Sequence, residues 1–403
     1  MNDTGIYPAR PSPDSDSAIT AVLTALRKHL GMEVGFISEF FGDRRRIRFV
    51  TADREQTLVC PGDVIPLSVG YCQRIVDGRL PELMADTSQV AAAMEIDFTR
   101  NVPIGSHIGV PVRLASGELY GTLCCFRAKP NYKLQDRDLE VMHAFADIIA
   151  GDLSRQRSAD ARGQADRAVI ESALARNQPA VVYQPIVDLA TETVMGLEGL
   201  ARFSLVPDRS PDKWFKAADA IGMGVELELN AVRNATQSLR CIPGKAYLAL
   251  NCSPTLIRSG RLASVLAGFP LSRIVLEVTE HSIVDDFDLL QRSLRPLRTE
   301  GVKLAMDDAG AGFSSLQHLV QLRPDVIKLD LSLARVVGDD ATARALVAAL
   351  VAFANATSAS VVAEGVETPG MAASYRELGV HGAQGYYFAR PMPLEELTCF
   401  FDR

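Results

Sequence analysis

The chain has 403 residues, a length that suits two globular domains better than one. Hydrophobic residues make up 47% and charged residues 23%, as in an ordinary globular protein. A formal net charge of -7 excludes a general nucleic-acid coat, because such a protein must neutralise phosphates, and we expect no DNA partner. No apolar run reaches the roughly 20 residues that cross a bilayer, and residues 1–16 lack a signal-peptide core, so we expect a cytoplasmic protein with no membrane partner.

The first part of the chain has the pattern of an α+β domain. Residues 1–16 are polar and contain proline, which predicts a disordered leader. Apolar residues then recur at helical spacing in Ala18–Leu30, and two pairs of segments follow whose alternation is typical of paired strands. The pairs are Val34–Phe41 with Arg46–Thr51, and Gly105–Leu114 with Gly117–Arg127.

This order of elements resembles a GAF sensory domain over residues 17–153. The resemblance rests on Gly70–Gln73, Ile108–Val112, Gly121–Cys125 and Leu134–Asp147. GAF domains bind cyclic nucleotides, tetrapyrroles or other small molecules, or only pair with one another. The resemblance therefore implies a homodimer and an unknown small ligand, or none, at this domain.

The seven cysteines lack CxxC spacing and predict neither a disulfide framework nor a zinc site. Cys124 and Cys125 lie in an apolar strand and are interpreted as buried small hydrophobic residues. Cys72 has two interpretations, a redox or chromophore-attachment site and a core residue. Many bilin-binding GAF domains have a His directly after this cysteine, whereas no His follows Cys72. The difference favours the interpretation of Cys72 as a core residue.

A helical linker is predicted for residues 154–176. It continues a helix whose apolar residues recur every three or four positions between Leu139 and Leu153. Two functions of this stripe stay open. It packs on the sheet of its own domain, or it forms a dimeric lever that transmits the state of the sensor.

From residue 177 to residue 403, apolar runs alternate with helical patterns, which predicts an α/β TIM-type (β/α)8 barrel. An open doubly wound sheet is the alternative, but the chain has no glycine-rich dinucleotide turn here. The eight predicted strands are Ala180–Ile186, Val194–Leu200, Ala246–Leu250, Ile274–Val278, Val302–Met306, Val326–Leu329, Ser360–Ala363 and Gly382–Phe388.

Oxygen-bearing side chains end most of these strands. Hard cations such as Mg²⁺ or Mn²⁺ select such ligands, and converging carboxylates would repel one another without cations, so we predict a site for two ions. For Asp307 and Asp308 alone, capping of the following helix is an equally good interpretation. The strand-end residues are Gln184, Glu198, Asn251, Glu277, Asp307, Asp308, Lys328, Glu364 and Gln384.

The same half of the chain resembles the EAL family of cyclic di-GMP phosphodiesterases. The resemblance rests on ordered motifs: Tyr183–Ile186, Glu198–Phe203, Asn251–Pro254, Glu277–Glu280, Asp307–Asp308, Ile327–Asp330, Ala363–Glu367 and Gln384–Tyr386. It implies metal-dependent hydrolysis of cyclic di-GMP to linear pGpG.

The resemblance also implies a role for each site residue. Lys328 and Glu364 would be catalytic, with Lys328 orienting or deprotonating the attacking water and having a pKa that the ions lower. Gln184, Arg202 and Asp330 would bind substrate, Gln384 would contact a metal-bound water, and Glu280 would anchor a loop. The metal ligands would be Glu198, Asn251, Glu277, Asp307, Asp308 and Glu364.

Two departures from the family pattern leave an alternative open. Gly199 replaces the middle alanine of the signature triplet, and the loop Ala309–Phe313 lacks the Thr and Tyr that active relatives usually carry. Loss of the Thr hydroxyl removes one hydrogen bond, worth roughly 0.5–1.5 kcal/mol. The alternative is a weakly active or inactive cyclic di-GMP receptor that signals through dimer contacts.

Overall fold

The computed structural model describes residues 13–53, 59–97, 99, 104–205, 208–279, 287–309, 315–330 and 340–401. The chain forms two compact units, Met1–Arg162 and Gly163–Arg403. Helix α4 (Asp136–Ala175), with 40 residues, runs through the boundary between them. Within the described ranges, none of the helices has the length and apolar composition needed to span a membrane.

The first unit contains a six-stranded antiparallel sheet with the order β3-β2-β1-β6-β5-β4. Its strands are β1 (Val34–Phe41), β2 (Arg44–Ala52), β3 (Val64–Pro66), β4 (Leu83–Met84), β5 (Ser106–Arg113) and β6 (Leu119–Arg127). Besides α4, its helices are α1 (Pro13–His29), α2 (Cys72–Val76) and α3 (Ala91–Met94), with a 3-10 turn at Thr87–Gln89.

Helix α1 begins at Pro13, five residues before the predicted start at Ala18. Proline is compatible with the first turn of a helix, so Pro13 does not prevent this extension. The helix thus includes residues 13–16 of the predicted leader, while residues 1–12 lie outside the described part.

The two faces of the sheet have separate cores. One face holds Leu23 of α1 together with Met142, Ile149 and Leu153 of α4. The predicted apolar stripe of α4 therefore packs on the sheet of its own unit, which is the first of the two open functions. On the opposite face Cys72, Cys124 and their neighbours form a second cluster. Adjacent residues of a strand point to opposite faces, so Cys124 and Cys125 belong to different cores.

The second unit is a closed barrel of eight strands in sequence order, as the sequence predicts. The strands are β7 (Ala180–Asp188), β8 (Val194–Arg202), β9 (Tyr247–Asn251), β10 (Ile274–Thr279), β11 (Lys303–Ala309), β12 (Val326–Leu329), β13 (Ser360–Ala363) and β14 (Gly382–Ala383). The last strand is shorter than the predicted Gly382–Phe388.

The helices outside the barrel mostly separate successive strands. They are α5 (Pro211–Ala220), α6 (Gly224–Thr236), α7 (Pro254–Arg258), α8 (Leu262–Leu266), α9 (Phe287–Thr299), α10 (Ser315–Leu322), α11 (Ala341–Thr357), α12 (Pro369–Glu377) and α13 (Leu394–Phe401). Short 3-10 turns occur at Gln237–Arg240 and Leu271–Arg273.

One strand departs from the parallel barrel that the sequence predicts. Strand β7 is antiparallel to both of its neighbours, β8 and β14, whereas the other strand pairs are parallel. Only residues 189–193 separate β7 from β8, and a parallel crossover needs a dozen residues or more. Gln184 is therefore not at the carboxyl end of a parallel strand. It reaches the same rim from within β7, opposite Glu198.

The first residues of the second unit lie in α4. Ile170 and Ala173 are fully buried in a cluster with Trp214 and Leu227. This part of the predicted linker is a packed element of the barrel unit.

Candidate active site

A polar layer lies above an apolar layer inside the barrel. The apolar layer consists of Ile186, Ala249, Val275, Ala305, Val326 and Val362. Side chains two positions apart on a strand share a face, so the next layer is set by the residues two positions along each strand. In this layer stand Gln184, Asn251, Glu277, Asp307, Lys328 and Glu364, joined by Glu198 above Gly196 and Gln384 above Gly382.

Lys328 is at the centre of the polar layer. Its Nζ lies 2.8 Å from Oε2 of Glu277 and 2.5 Å from Oε1 of Glu364. Glu198 and Asp307 are slightly farther from the ammonium group, at 3.7 and 3.6 Å. The side chain of Lys328 is only 2% exposed, so this ammonium group is the buried counter-charge of four carboxylates.

Burial and charge shift the pKa values of this cluster. Burial, together with the charges of Glu198 and Asp307, raises the pKa of Glu277 well above its usual range. Burial also raises the pKa of Glu364, to about 7, although Lys328 opposes the shift. The cluster without further cations therefore has an excess of negative charge that favours proton uptake or a cation.

Burial alone lowers the pKa of Lys328, but the surrounding carboxylates outweigh it and raise this pKa well above its usual value. The predicted lowering of the Lys328 pKa assumed cations beside the ammonium group. Where only carboxylates face Lys328, its pKa is raised instead.

Amide side chains orient the carboxylate of Glu198. Asn251 Nδ2 donates to its Oε1 at 3.0 Å, and Gln384 Nε2 donates to its Oε2 at 2.6 Å. Gln384 Nε2 also donates to Gln184 Oε1 at 2.8 Å, and Gln184 in turn donates to the carbonyl oxygen of Ala389. Burial raises the pKa of Glu198, but Lys328 and these amides prevail and lower it, which keeps the group ionised.

Two clefts open on the polar layer and meet at Glu198. One, of about 370 Å³, is lined by Gln184, Asp307, Glu364 and Tyr386 among others. The other, of about 500 Å³, contains Asn251, Glu277 and the predicted substrate ligand Arg202. Arg202 is exposed and donates to the carbonyl oxygen of Ala201 at 2.8 Å.

Several of the predicted site residues lie apart from this layer or outside the described residues. Asp330 follows β12, and its charge adds to burial in raising the pKa of Tyr375 on α12. Its assignment to substrate stays a prediction. The backbone of Asp308 belongs to β11, but its side chain is not described. Glu280 and the loop residues 310–314 lie outside the described residues.

Two polar residues near the site were not predicted. Tyr247 packs its ring over Gly196, and within the described ranges its buried hydroxyl has no hydrogen-bond partner. Its position four residues before Asn251 places both on one face of β9 and would have signalled it. Glu228, on α6, accepts a hydrogen bond from the backbone N–H of Ser253 at 2.8 Å and lines the larger cleft. No comparable sequence pattern in α6 would have predicted that Glu228 lies near the site.

The chemistry of these side chains fits a hard divalent cation, because their donors are carboxylate and amide oxygens. Gln384 Oε1 is buried and, among the described residues, accepts no hydrogen bond. Nevertheless, in the part of the chain described, no three acidic, histidine or cysteine side chains converge closely enough to hold an ion. Glu277 and Glu364 are both ion-paired with Lys328.

Comparisons with known proteins agree with this geometry. The EAL domain model matches residues 167–391, and the GAF domain model matches residues 14–153. A probable cyclic di-GMP phosphodiesterase of Escherichia coli K12, PdeD, is 32% identical over 236 residues, covering 56% of this chain and 44% of the relative. The cyclic di-GMP phosphodiesterase NbdA of Pseudomonas aeruginosa is 34% identical over 243 residues, covering 57% of this chain and 31% of the relative.

This chain thus spans less than half the length of these curated relatives. Among solved structures, the complex of PaMucR phosphodiesterase with c-di-GMP has a TM-score of 0.52 and 29% identity, covering 58% of this chain and 99% of that chain. Because the EAL domain model covers more than half of its residues, the chain belongs to the EAL domain family, and a GAF domain precedes its barrel.

Proposed function

We propose that this chain hydrolyses cyclic di-GMP to linear pGpG with two Mg²⁺ or Mn²⁺ ions. The observation that carries the proposal is the ring of Glu198, Glu277, Asp307 and Glu364 around one buried lysine at the barrel rim. The names of the similar phosphodiesterases support the choice of substrate.

Asp308 and Asn251 complete the set of proposed metal ligands with these four carboxylates. Bound ions would polarise the phosphodiester and lower the pKa of an attacking water. Gln384 holds Glu198 in place through its amide N–H, and its carbonyl oxygen, which accepts no hydrogen bond from the described residues, is the proposed partner of a water. Arg202 and Gln184, which line different clefts beside Glu198, are the proposed substrate contacts.

Lys328, whose ammonium group contacts four carboxylates, is proposed to orient the attacking water or to help deprotonate it. Glu364, 2.5 Å from the same ammonium group, is the second proposed catalytic residue and also a proposed metal ligand.

The test is incubation of the purified full chain with cyclic di-GMP and Mn²⁺, followed by chromatography of the nucleotides. We expect pGpG to accumulate, and we expect excess chelator to stop its formation. The matched variants are Glu198→Gln, expected to abolish turnover, and Glu226→Gln, an ion-paired glutamate on α6 at the surface, expected to be neutral. Binding of cyclic di-GMP without any product would instead favour the receptor alternative.

We also propose that the protein is a homodimer and that the GAF unit regulates hydrolysis, with or without a small ligand. Support comes from the GAF match at residues 14–153 and from the continuous helix α4 that joins the units. The comparison of the full chain with a chain beginning at Gly163 tests this regulation. Equal turnover at every metal concentration would contradict it.

A further inference from the structure

A small pocket lies beside the sheet of the first unit, remote in sequence from the barrel residues. Its volume is about 20 Å³, slightly more than the roughly 10–15 Å³ that one water requires. Apolar side chains form most of its wall. The polar members of the wall are Arg45, Tyr71, Cys72 and His107.

Cys72, in the wall of this pocket, lies close to a second cysteine behind it, Cys124. Cys72 begins α2, Cys124 lies in β6, and their Sγ atoms are 4.0 Å apart. Gly109 pairs with Cys124 across the sheet, and a Cβ at this glycine would lie 2.8 Å from Cys124 Sγ. The glycine therefore provides the space that Cys124 Sγ occupies. A disulfide requires a sulfur separation of about 2.05 Å, so the two side chains must close by about 2 Å.

The positive charge of Arg45 indicates which of the two sulfurs is reactive. Arg45 is 5% exposed, and its Nη1 contacts Cys72 Sγ. A Cβ at Gly70 would lie 2.8 Å from Arg45 Nη2, so the guanidinium group reaches the pocket because this residue is glycine. No carboxylate among the described residues forms an ion pair with Arg45. Since a buried cation needs a compensating charge, a thiolate at Cys72 meets that need.

The protonation states in the pocket agree with this geometry. The hydrogen bond with Cys124, and after it the charge of Arg45, lowers the pKa of Cys72 despite its burial. Burial raises the pKa of Cys124, which stays a thiol. Burial also lowers the pKa of His107 to about 3, so its imidazole is neutral. In the described part of the chain, neither ring nitrogen of His107 has a hydrogen-bond partner.

We propose that Cys72 and Cys124 form a peroxide-reactive pair in which Cys72 is oxidised and Cys124 completes a disulfide. The Cys72 thiolate attacks one oxygen of hydrogen peroxide, the O–O bond breaks, and Cys72 sulfenic acid and hydroxide form. The Cys124 thiol then attacks the Cys72 sulfur, the S–O bond breaks, and water leaves. Each sulfur loses one electron, and the Cys124 proton leaves with the sulfenic-acid oxygen as the first water. The hydroxide of the first step takes up one solvent proton, which replaces the proton that Cys72 released on ionising, so overall two thiols and one peroxide give one disulfide and two waters.

The pocket limits the oxidant to a molecule of very few atoms. A volume near that of one water admits hydrogen peroxide after small side-chain movements, whereas larger hydroperoxides exceed it. A neutral imidazole offers one donor and one acceptor, and since neither nitrogen of His107 bonds to any residue that the structure describes, both can bind such a molecule.

The test uses the reduced full chain, treated with hydrogen peroxide, alkylated at intervals and mapped as peptides by mass spectrometry without reduction. We expect a peptide pair linked through Cys72 and Cys124 that dithiothreitol separates. We expect Cys72 to lose its free thiol about tenfold faster than the exposed Cys60, because only a small share of an ordinary cysteine is ionised near neutral pH.

Three variants sharpen the test. Cys124→Ser should leave Cys72 as a sulfenic acid that a sulfenic-acid probe labels, with no disulfide. Cys125→Ser is the matched control, since Cys125 follows Cys124 but lies in the other core, and it should still form the disulfide. Arg45→Gln should slow the oxidation of Cys72 about tenfold. The proposal is overturned if Cys72 in the unaltered chain stays reduced while Cys60 and Cys241 oxidise, or if Cys72 pairs with a cysteine other than Cys124.

Discussion

Replacing Lys328 with Met removes the ammonium group that four buried carboxylates share. Methionine has a similar length, so the change deletes charge and hydrogen bonds more than volume. Glu277 is 2% exposed and accepts a hydrogen bond from Lys328 at 2.8 Å, so its carboxylate loses the most stabilisation in the variant. In the variant Glu277 must either stay charged without this cation or take up a proton.

Removing one partner of a buried ion pair typically costs roughly 3–5 kcal/mol, and we expect a loss in this range at pH 7 and a smaller loss at about pH 5.5. Lys328 lowers the pKa of Glu277 against the effect of burial, so its removal raises that pKa further. Glu277 is an acid whose pKa in the folded variant is raised. The loss of unfolding free energy therefore grows as the pH rises above the pKa of the unfolded chain.

The assay is urea unfolding in the presence of a chelator, followed by the fluorescence of Trp214. This residue is the single tryptophan and is fully buried in the barrel unit, so the signal reports on that unit. Lys303→Met on β11 is the matched control, because Lys303 is exposed, and it should change the unfolding free energy by less than about 0.5 kcal/mol. A loss below about 1 kcal/mol at pH 7, or a loss that is equal at both pH values, would refute the reasoning.

Three further predictions concern activity, pH and domain limits. Lys328→Ala should reduce turnover far more than it weakens binding of cyclic di-GMP, and near-normal turnover in a product assay would exclude its proposed role. His107 has an ordinary pKa of 6.5 when unfolded and about 3 when folded, so acid favours unfolding. The unfolding free energy should fall by about 2 kcal/mol more between about pH 6 and 4.5 than in His107→Phe, measured by circular dichroism. A chain that begins at Asn177 lacks the ion pair of Asp166 with Arg209 and the burial of Ile170 against Trp214. It should therefore be about 2–4 kcal/mol less stable to urea than a chain that begins at Gly163, and equal stability would contradict this packing.

Local periodicity explains why so much of the fold was predicted from the sequence. The eight apolar runs correspond to eight strands of a closed barrel, and the GAF and EAL families were both identified correctly. A strand repeats every two residues, so an oxygen-bearing residue two positions after a buried one stays on the inner face. This rule places Asn251, Glu277, Asp307 and Glu364 around one rim before any contact is known, while their roles stay predictions.

The direction of β7 depended on the tertiary structure, although its cause is visible in the short connection to β8. Pairing partners far apart in the chain also decided the environment of Lys328, whose pKa is raised by carboxylates from four other strands or strand ends. The contact of Arg45 with Cys72 is a third case, because nothing near either residue in the sequence indicates the other. Sequence periodicity fixes the face on which a side chain lies, but only the closed fold determines which distant charge lies beside it, and that neighbour sets its protonation state and reactivity.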